Sequence, residues 1–180
     1  VAQDDPAYKK LISHLDGFQD EAGFTFFGNH QIDDGDFRAK IWWAKYVQAQ
    51  GKAFMVTDLW QGQEPSPTQR DFAISTYMMG RYHQDAMVTA KYGSYGFEHY
   101  WPEYDSAVGS PCADMYADQG VYFRKNSGSL VIVNVSRGTI SVNLPRSASS
   151  YTDIEGRTVT NPLPVGQDDG WVLLTNNGCL

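Results

Sequence analysis

Only two of the 180 residues are cysteine, Cys112 and Cys179. Two are too few for the multi-bridge framework that holds small secreted domains together. Two readings of the pair stay open: one disulfide closing the C-terminal part of the chain, or two free structural thiols. Long apolar runs are also missing. No stretch of roughly eighteen apolar residues occurs, so no membrane-spanning helix is expected. The opening VAQDDPAYKK lacks an apolar signal core, which fits a cytoplasmic chain, a processed one or a fragment. Basic residues are outnumbered: 14 Lys and Arg face 21 Asp and Glu, for a formal net charge of −7. Without a basic patch to displace counterions, nucleic acid is not an expected partner. A neutral sugar is not excluded by this charge. The histidines, His14, His30, His83 and His99, are scattered without metal-ligand spacing, so neither a metal nor a cofactor is expected. P-loop, GxGxxG and GxSxG motifs are absent, which removes the phosphate-cradle and serine-hydrolase readings built on them.

The residues that are present predict a packed protein. Hydrophobic residues make up 42% and charged residues 19%, a balance that supports a core rather than disorder. Aromatics reach 14%, which suits core packing and equally a surface that stacks on flat ligands. Asp5 and Pro6 predict the start of a helix over 6–14. LDGFQD then reads as a strand. In DDGDFRAKIWWAKYVQAQGK, Asp36 reads as the N-cap, and Phe37, Ile41, Ala44 and Val47 recur at helical spacing. Gly51 follows as the residue that stops the helix. KAFMVTDLW reads as a strand buried on both faces. Ser66, Pro67 and Gln69 form a capping box, from which a helix is expected to run through Ala90. Strands alternating with helices predict parallel pairing with right-handed crossovers.

Beyond about residue 105 the texture changes. GVYFRKN, SLVIVNVS, TISVNLP, RTVTNPLPV and GWVLLTN are short β-rich runs separated by turn signals, as in an antiparallel sheet or small sandwich. The boundary is placed within residues 104–120. Asn134 to Ser136 match a glycosylation sequon, but they lie inside a predicted strand and carry no weight.

Ligand sites in parallel α/β architectures lie at the carboxyl ends of strands. Asp20 and Glu21 fall at the end of one predicted strand, and Asp58 and Trp60 at the end of the next. Glu98 and His99 follow the second long helix, at a third presumed strand end. Neighbouring residues on a strand point to opposite faces, so one of Asp20 and Glu21 is expected to be structural, paired with Arg38 or Lys40 or capping a loop. The segment YGSYGFEHYWPEY gathers Tyr95, Trp101 and other rings. It reads as a packing seam between domains or as a platform for sugar rings.

The order of LDGFQDEAGF, WAKYVQAQGKAFMV, an aromatic loop, GVYFRKNSGSLVIVNVS, TISVNLP, YTDIEGRTVT and GWVLLTN resembles the C-terminal half of glycosyl-hydrolase-like families. Those are (β/α)8 barrels followed by a β-domain. The resemblance spans nearly the whole chain, and the order of the motifs carries it. It implies a partial (β/α) TIM-type barrel over 1–105 and a small antiparallel β-domain over 106–180. It implies glycoside hydrolysis by two carboxylates, drawn from Glu21, Asp20 and Asp58. Trp60, Tyr95, Glu98, His99 and Trp101 are then the expected sugar-binding residues, and an extracytoplasmic location is favoured. A full barrel needs about 200 residues, so the chain is expected to be a truncated form of a longer enzyme or to complete its sheet by association, as a homodimer. The alternative is a non-catalytic carbohydrate-binding or scaffold remnant.

Overall fold

The computed structural model describes residues 4–21, 23–25, 32–60, 65–83, 86–92, 98–99, 101–176 and 179, with backbone alone for 59–60, 86–92 and 98–99. The protein is mixed α/β, with three α-helices among the described residues. It divides into two compact units, Val1–Glu64 with Gly80–His99, and Pro65–Met79 with Tyr100–Leu180.

In the first unit, helix α1 (Pro6–Ser13) starts at Asp5, whose side chain accepts from the Ala7 N–H at 2.9 Å. Strand β1 (Gly17–Asp20) follows, then helix α2 (Asp34–Ala49) and strand β2 (Ala53–Trp60). The N-cap of α2 is Asp33 rather than the expected Asp36; its carboxylate accepts the Asp36 N–H at 2.8 Å, which places Asp36 inside the first turn. Asp34 and Asp36 there face the positive helix end. At the other end Gly51 adopts φ +69°, the left-handed geometry expected of it.

Helix α3 (Pro67–Gly80) belongs to the second unit up to Met79. It begins as a capping box: the Ser66 N–H donates to Gln69 Oε1 at 2.8 Å and the Gln69 N–H to Ser66 Oγ at 3.3 Å. The helix ends at Gly80, and the residues expected to continue it form strand β3 (Ala86–Tyr92) instead. Gln48 of α2 contributes to that stop. Its buried amide donates to the Gly80 carbonyl at 2.7 Å and accepts from the N–H groups of Tyr82 and His83 at 2.7 and 2.9 Å. A distant side chain thus satisfies the groups that another helical turn would have paired. Strand β4 (Glu98–His99) completes a sheet of order β1-β2-β3-β4, in which β1, β2 and β3 run parallel and β4 is antiparallel to β3. Strand β2 is buried on both faces only in part. Phe54, Val56 and Asp58 are buried on the face toward α2; on the other, Thr57 is buried, Met55 half-buried and Ala53 exposed.

The second unit contains strands β5 (Tyr116–Asp118), β6 (Val121–Asn126), β7 (Ser129–Asn134), β8 (Ile140–Val142), β9 (Thr152–Asp153), β10 (Leu163–Val165) and β11 (Asp169–Leu174). They form a five-stranded sheet of order β5-β6-β7-β11-β9 and a β8-β10 pair, all antiparallel. Every residue of β7 is buried. One sheet face packs Phe123, Leu130, Ile132, Trp171 and Leu173 against Val142, Leu163 and Val165. The other face receives α3, whose residues from Asp71 onward are buried all round, as its apolar sequence predicts. Arg124 on β6 is fully buried and donates to the carbonyls of Met78 and Met79 at 2.9 and 2.6 Å, placing a cation at the negative helix end. Cys112 and Cys179 form a disulfide across a separation of 67 residues. Closing a loop of that length stabilises by about 4 kcal/mol in the chain-entropy picture. The glycosylation sequon is closed to modification in the folded chain: the Asn134 amide donates to the carbonyls of Gly138, Val165 and Gly166 and is buried.

Gly170 on β11 shows how closely the helix sits. A Cβ built there would overlap Ser75 and come within 3.0 Å of the Asp71 carbonyl oxygen. Gly170→Ala is therefore expected to destabilise the second unit by about 1–3 kcal/mol, the usual range for overpacking. Denaturant unfolding followed by Trp171 fluorescence measures this; an unchanged midpoint would mean that α3 packs less tightly.

Candidate functional site

The parallel register of β1 and β2 pairs Phe18 with Phe54 and Asp20 with Val56. Alternation along the strands then puts Phe18, Asp20, Phe54, Val56 and Asp58 on one face. Gln19 and Thr57 share the opposite face, where the Gln19 amide donates to Thr57 Oγ1 at 3.1 Å.

Asp20 closes β1 on the face toward α2. The Lys40 ammonium donates to Asp20 Oδ2 at 2.5 Å and to the Gly23 carbonyl at 2.6 Å, while Asp20 Oδ1 accepts from the Gly23 N–H at 3.2 Å. Asp20 thus ties the chain after β1 to α2, one of the structural pairings weighed from the sequence. Glu21, the next residue, is exposed.

Asp58 is fully buried. Its Oδ1 accepts from both the N–H and the hydroxyl of Thr25 at 2.8 Å, and among the described residues nothing donates to Oδ2. Gly23 has φ +59°, and a Cβ there would fall on the Asp58 carboxylate. Only glycine lets the turn cross so near the acid. Burial pushes the Asp58 carboxyl up to about 6, against the opposing pull of the Thr25 hydrogen bonds and of Lys40.

A cleft of about 390 Å³ lies beside this strand end. Asp20 and Glu21 line it together with Tyr8 of α1, Phe18 and Phe54 of the strands, and Asp36, Lys40 and Trp43 of α2. Phe18 and Phe54 stack with centroids 6.2 Å apart, and Tyr8 meets Trp43 at 5.8 Å. Reasoning from the sequence missed these rings. The signal was present in α2, because Asp36, Ala39, Lys40 and Trp43 follow i, i+3, i+4, i+7 spacing and so share one helix face.

Of the other expected sugar contacts, Trp101 is the one whose side chain is described. Trp101 is 1% exposed within the second unit, with Tyr104 at 5.5 Å and the Arg70 guanidinium 5.8 Å from its ring centroid. It presents no open face for a sugar ring. Trp60 ends β2 opposite Tyr92, and Glu98 and His99 pair with Lys91 and Ala90. The side chains of Trp60, Glu98 and His99, and the whole of Tyr95, lie outside the described residues. No family model and no curated protein matches the sequence.

The sealing of Asp58 has a measurable consequence. The unfolded carboxyl loses its proton near pH 4, whereas the folded one keeps it to about pH 6. Stability therefore falls across that interval and levels off above it. Asp58→Asn, which cannot ionise, should gain on the parent between pH 4 and pH 7 by about 3 kcal/mol. Denaturant unfolding at each pH reads the gap; a gap that does not change with pH would mean that Asp58 ionises like an exposed acid.

Proposed function

We propose that the chain is a glycoside-hydrolase-like protein that acts on or binds a polysaccharide through the cleft beside β1. The observation that carries this reading is the composition of the cleft: carboxylates at the end of a parallel strand beside a wall of aromatic rings. Rings offer the apolar face of a pyranose a stacking surface, and carboxylates accept hydrogen bonds from its hydroxyls. Glu21 is the acid of this reading, because Asp20 is engaged by Lys40 and Asp58 lies beneath Thr25. Hydrolysis needs a second carboxyl roughly 5–10 Å away. Asp36, which also lines the cleft, is the candidate within this chain.

The three parallel strands are, in this reading, an arc of a (β/α) barrel. Among the described residues β1 is an edge strand, and the face of β2 away from α2 is only partly covered. A second copy of the chain covers that open side in a two-fold dimer. The commitment of Asp20 and Asp58 to internal contacts favours the second reading, a carbohydrate-binding module without hydrolysis.

A panel of plant and algal polysaccharides tests both, with binding read by calorimetry and chemistry by release of reducing ends. Hydrolysis that disappears in Glu21→Gln while binding persists is the expected outcome for an enzyme. Binding without release identifies the non-catalytic module, and neither binding nor release rejects the carbohydrate reading. For assembly, light scattering at micromolar concentration should give twice the 20.1 kDa chain mass; a monomer mass that persists as concentration rises would reject the dimer.

A further inference from the structure

The face of the second unit where α3 meets the sheet holds more negative charge than its cations can match. Arg157 sits among three carboxylates: Nη2 is 2.9 Å from Asp71 Oδ2, Nε is 3.0 Å from Asp153 Oδ2, and Nη1 is 3.3 Å from Asp169 Oδ1. Its guanidinium lies 3.6 Å from the Trp171 ring centroid. Arg70, one residue before Asp71 on α3, donates two bonds to Glu155 at 2.7 and 2.6 Å and stands 3.8 Å from Glu103. Five carboxylates thus share two guanidiniums, an excess of three negative charges if all are ionised. Asp71 is the most deeply placed acid on the helix side, 2% exposed, and neither of its oxygens receives an aligned hydrogen bond among the described residues. Arg157 is close to it but aims its better-directed bonds at Asp153 and at the Gly170 carbonyl.

We infer that Asp71 stays a neutral acid within this cluster, and that its proton couples the seating of α3 on the sheet to pH. A third negative charge beside Glu155 and Asp153 in a dry contact would have to share Arg157, which Asp153 and Asp169 already engage. Holding the proton avoids that cost, and removing it repels α3 from the turn that carries Glu155. Burial is the largest influence that raises the Asp71 carboxyl, with Glu155 and Asp153 adding to it and Arg157 opposing. The sign follows from proton counting. Once the unfolded acid has ionised, the folded state binds one proton more, so stability declines as pH rises until Asp71 itself ionises in the folded protein. This decline extends to higher pH than the one assigned to Asp58, which ends near pH 6.

Unfolding midpoints of the parent and of Asp71→Asn, measured between pH 5 and pH 9, test the inference. The advantage of the asparagine variant should grow steadily up to at least pH 8. A gap that is constant, or that narrows with pH, overturns it. Should the variant fail to fold, the parent labelled with carboxyl carbon-13 aspartate gives the same answer by NMR. At pH 7, where Asp58 is mostly ionised, one other aspartate should still be protonated, and amide exchange in Phe72–Met79, corrected for its intrinsic pH dependence, should quicken as that carboxyl ionises. Complete ionisation of the aspartates by pH 7, or exchange in α3 that ignores the titration, overturns it.

Discussion

A carboxylate taken out of water must meet a cation or keep its proton. That constraint organises both units of this acidic chain. At the end of β1, Asp20 meets Lys40, and the same ammonium holds the Gly23 carbonyl. The turn so fixed lays Thr25 over Asp58, where no second cation stands among the described residues and the carboxyl is pushed up to about 6. In the second unit Arg157 and Arg70 divide five acids between them. In each place the backbone comes close to an acid or to its helix only because a glycine removes the Cβ, at Gly23 and at Gly170.

The same constraint sorts the carboxylates at the strand ends by what they can do. An acid engaged by an ammonium positions chain, and an acid sealed under a threonine has no path to a substrate. Glu21 is neither, because it comes after the last residue of β1 and is exposed. The cleft it borders is built by four elements at once, α1, β1, β2 and α2. A site placed on regular elements holds its geometry better than one placed on loops.

Local signals were readable from the sequence, and long-range ones were not. Asp5 with Pro6, the Ser66–Gln69 box and Gly51 act within a few residues, so their chemistry could be recognised in place. The antiparallel runs after residue 120 were legible for the same reason, since turn signals separate them. The end of α3 depends on Gln48, more than thirty residues earlier; Gly80 is its local mark, but a lone glycine in an apolar run does not by itself end a helix. Strand β3 was therefore hidden in an expected helix. The both-face burial expected of KAFMVTDLW followed from its apolar run alone, which cannot say what stands on each side. Of the site, the two acids at the end of β1 were named, but dividing their roles needed the position of Lys40. The rings of Tyr8, Phe18, Trp43 and Phe54 come from four elements and converge only in the fold. The pairing of Cys112 with Cys179 was one of two open readings, and only proximity decides it.

The central claim is that the chain meets carbohydrate at the cleft beside β1. NMR chemical-shift mapping of the labelled protein with a mixture of soluble plant and algal oligosaccharides tests it most directly. The account predicts that shifts gather on Tyr8, Phe18, Glu21, Lys40 and Trp43 and leave Trp101 and Tyr104 unmoved. Shifts centred on Trp101, or on the five-stranded sheet with the cleft silent, would contradict it.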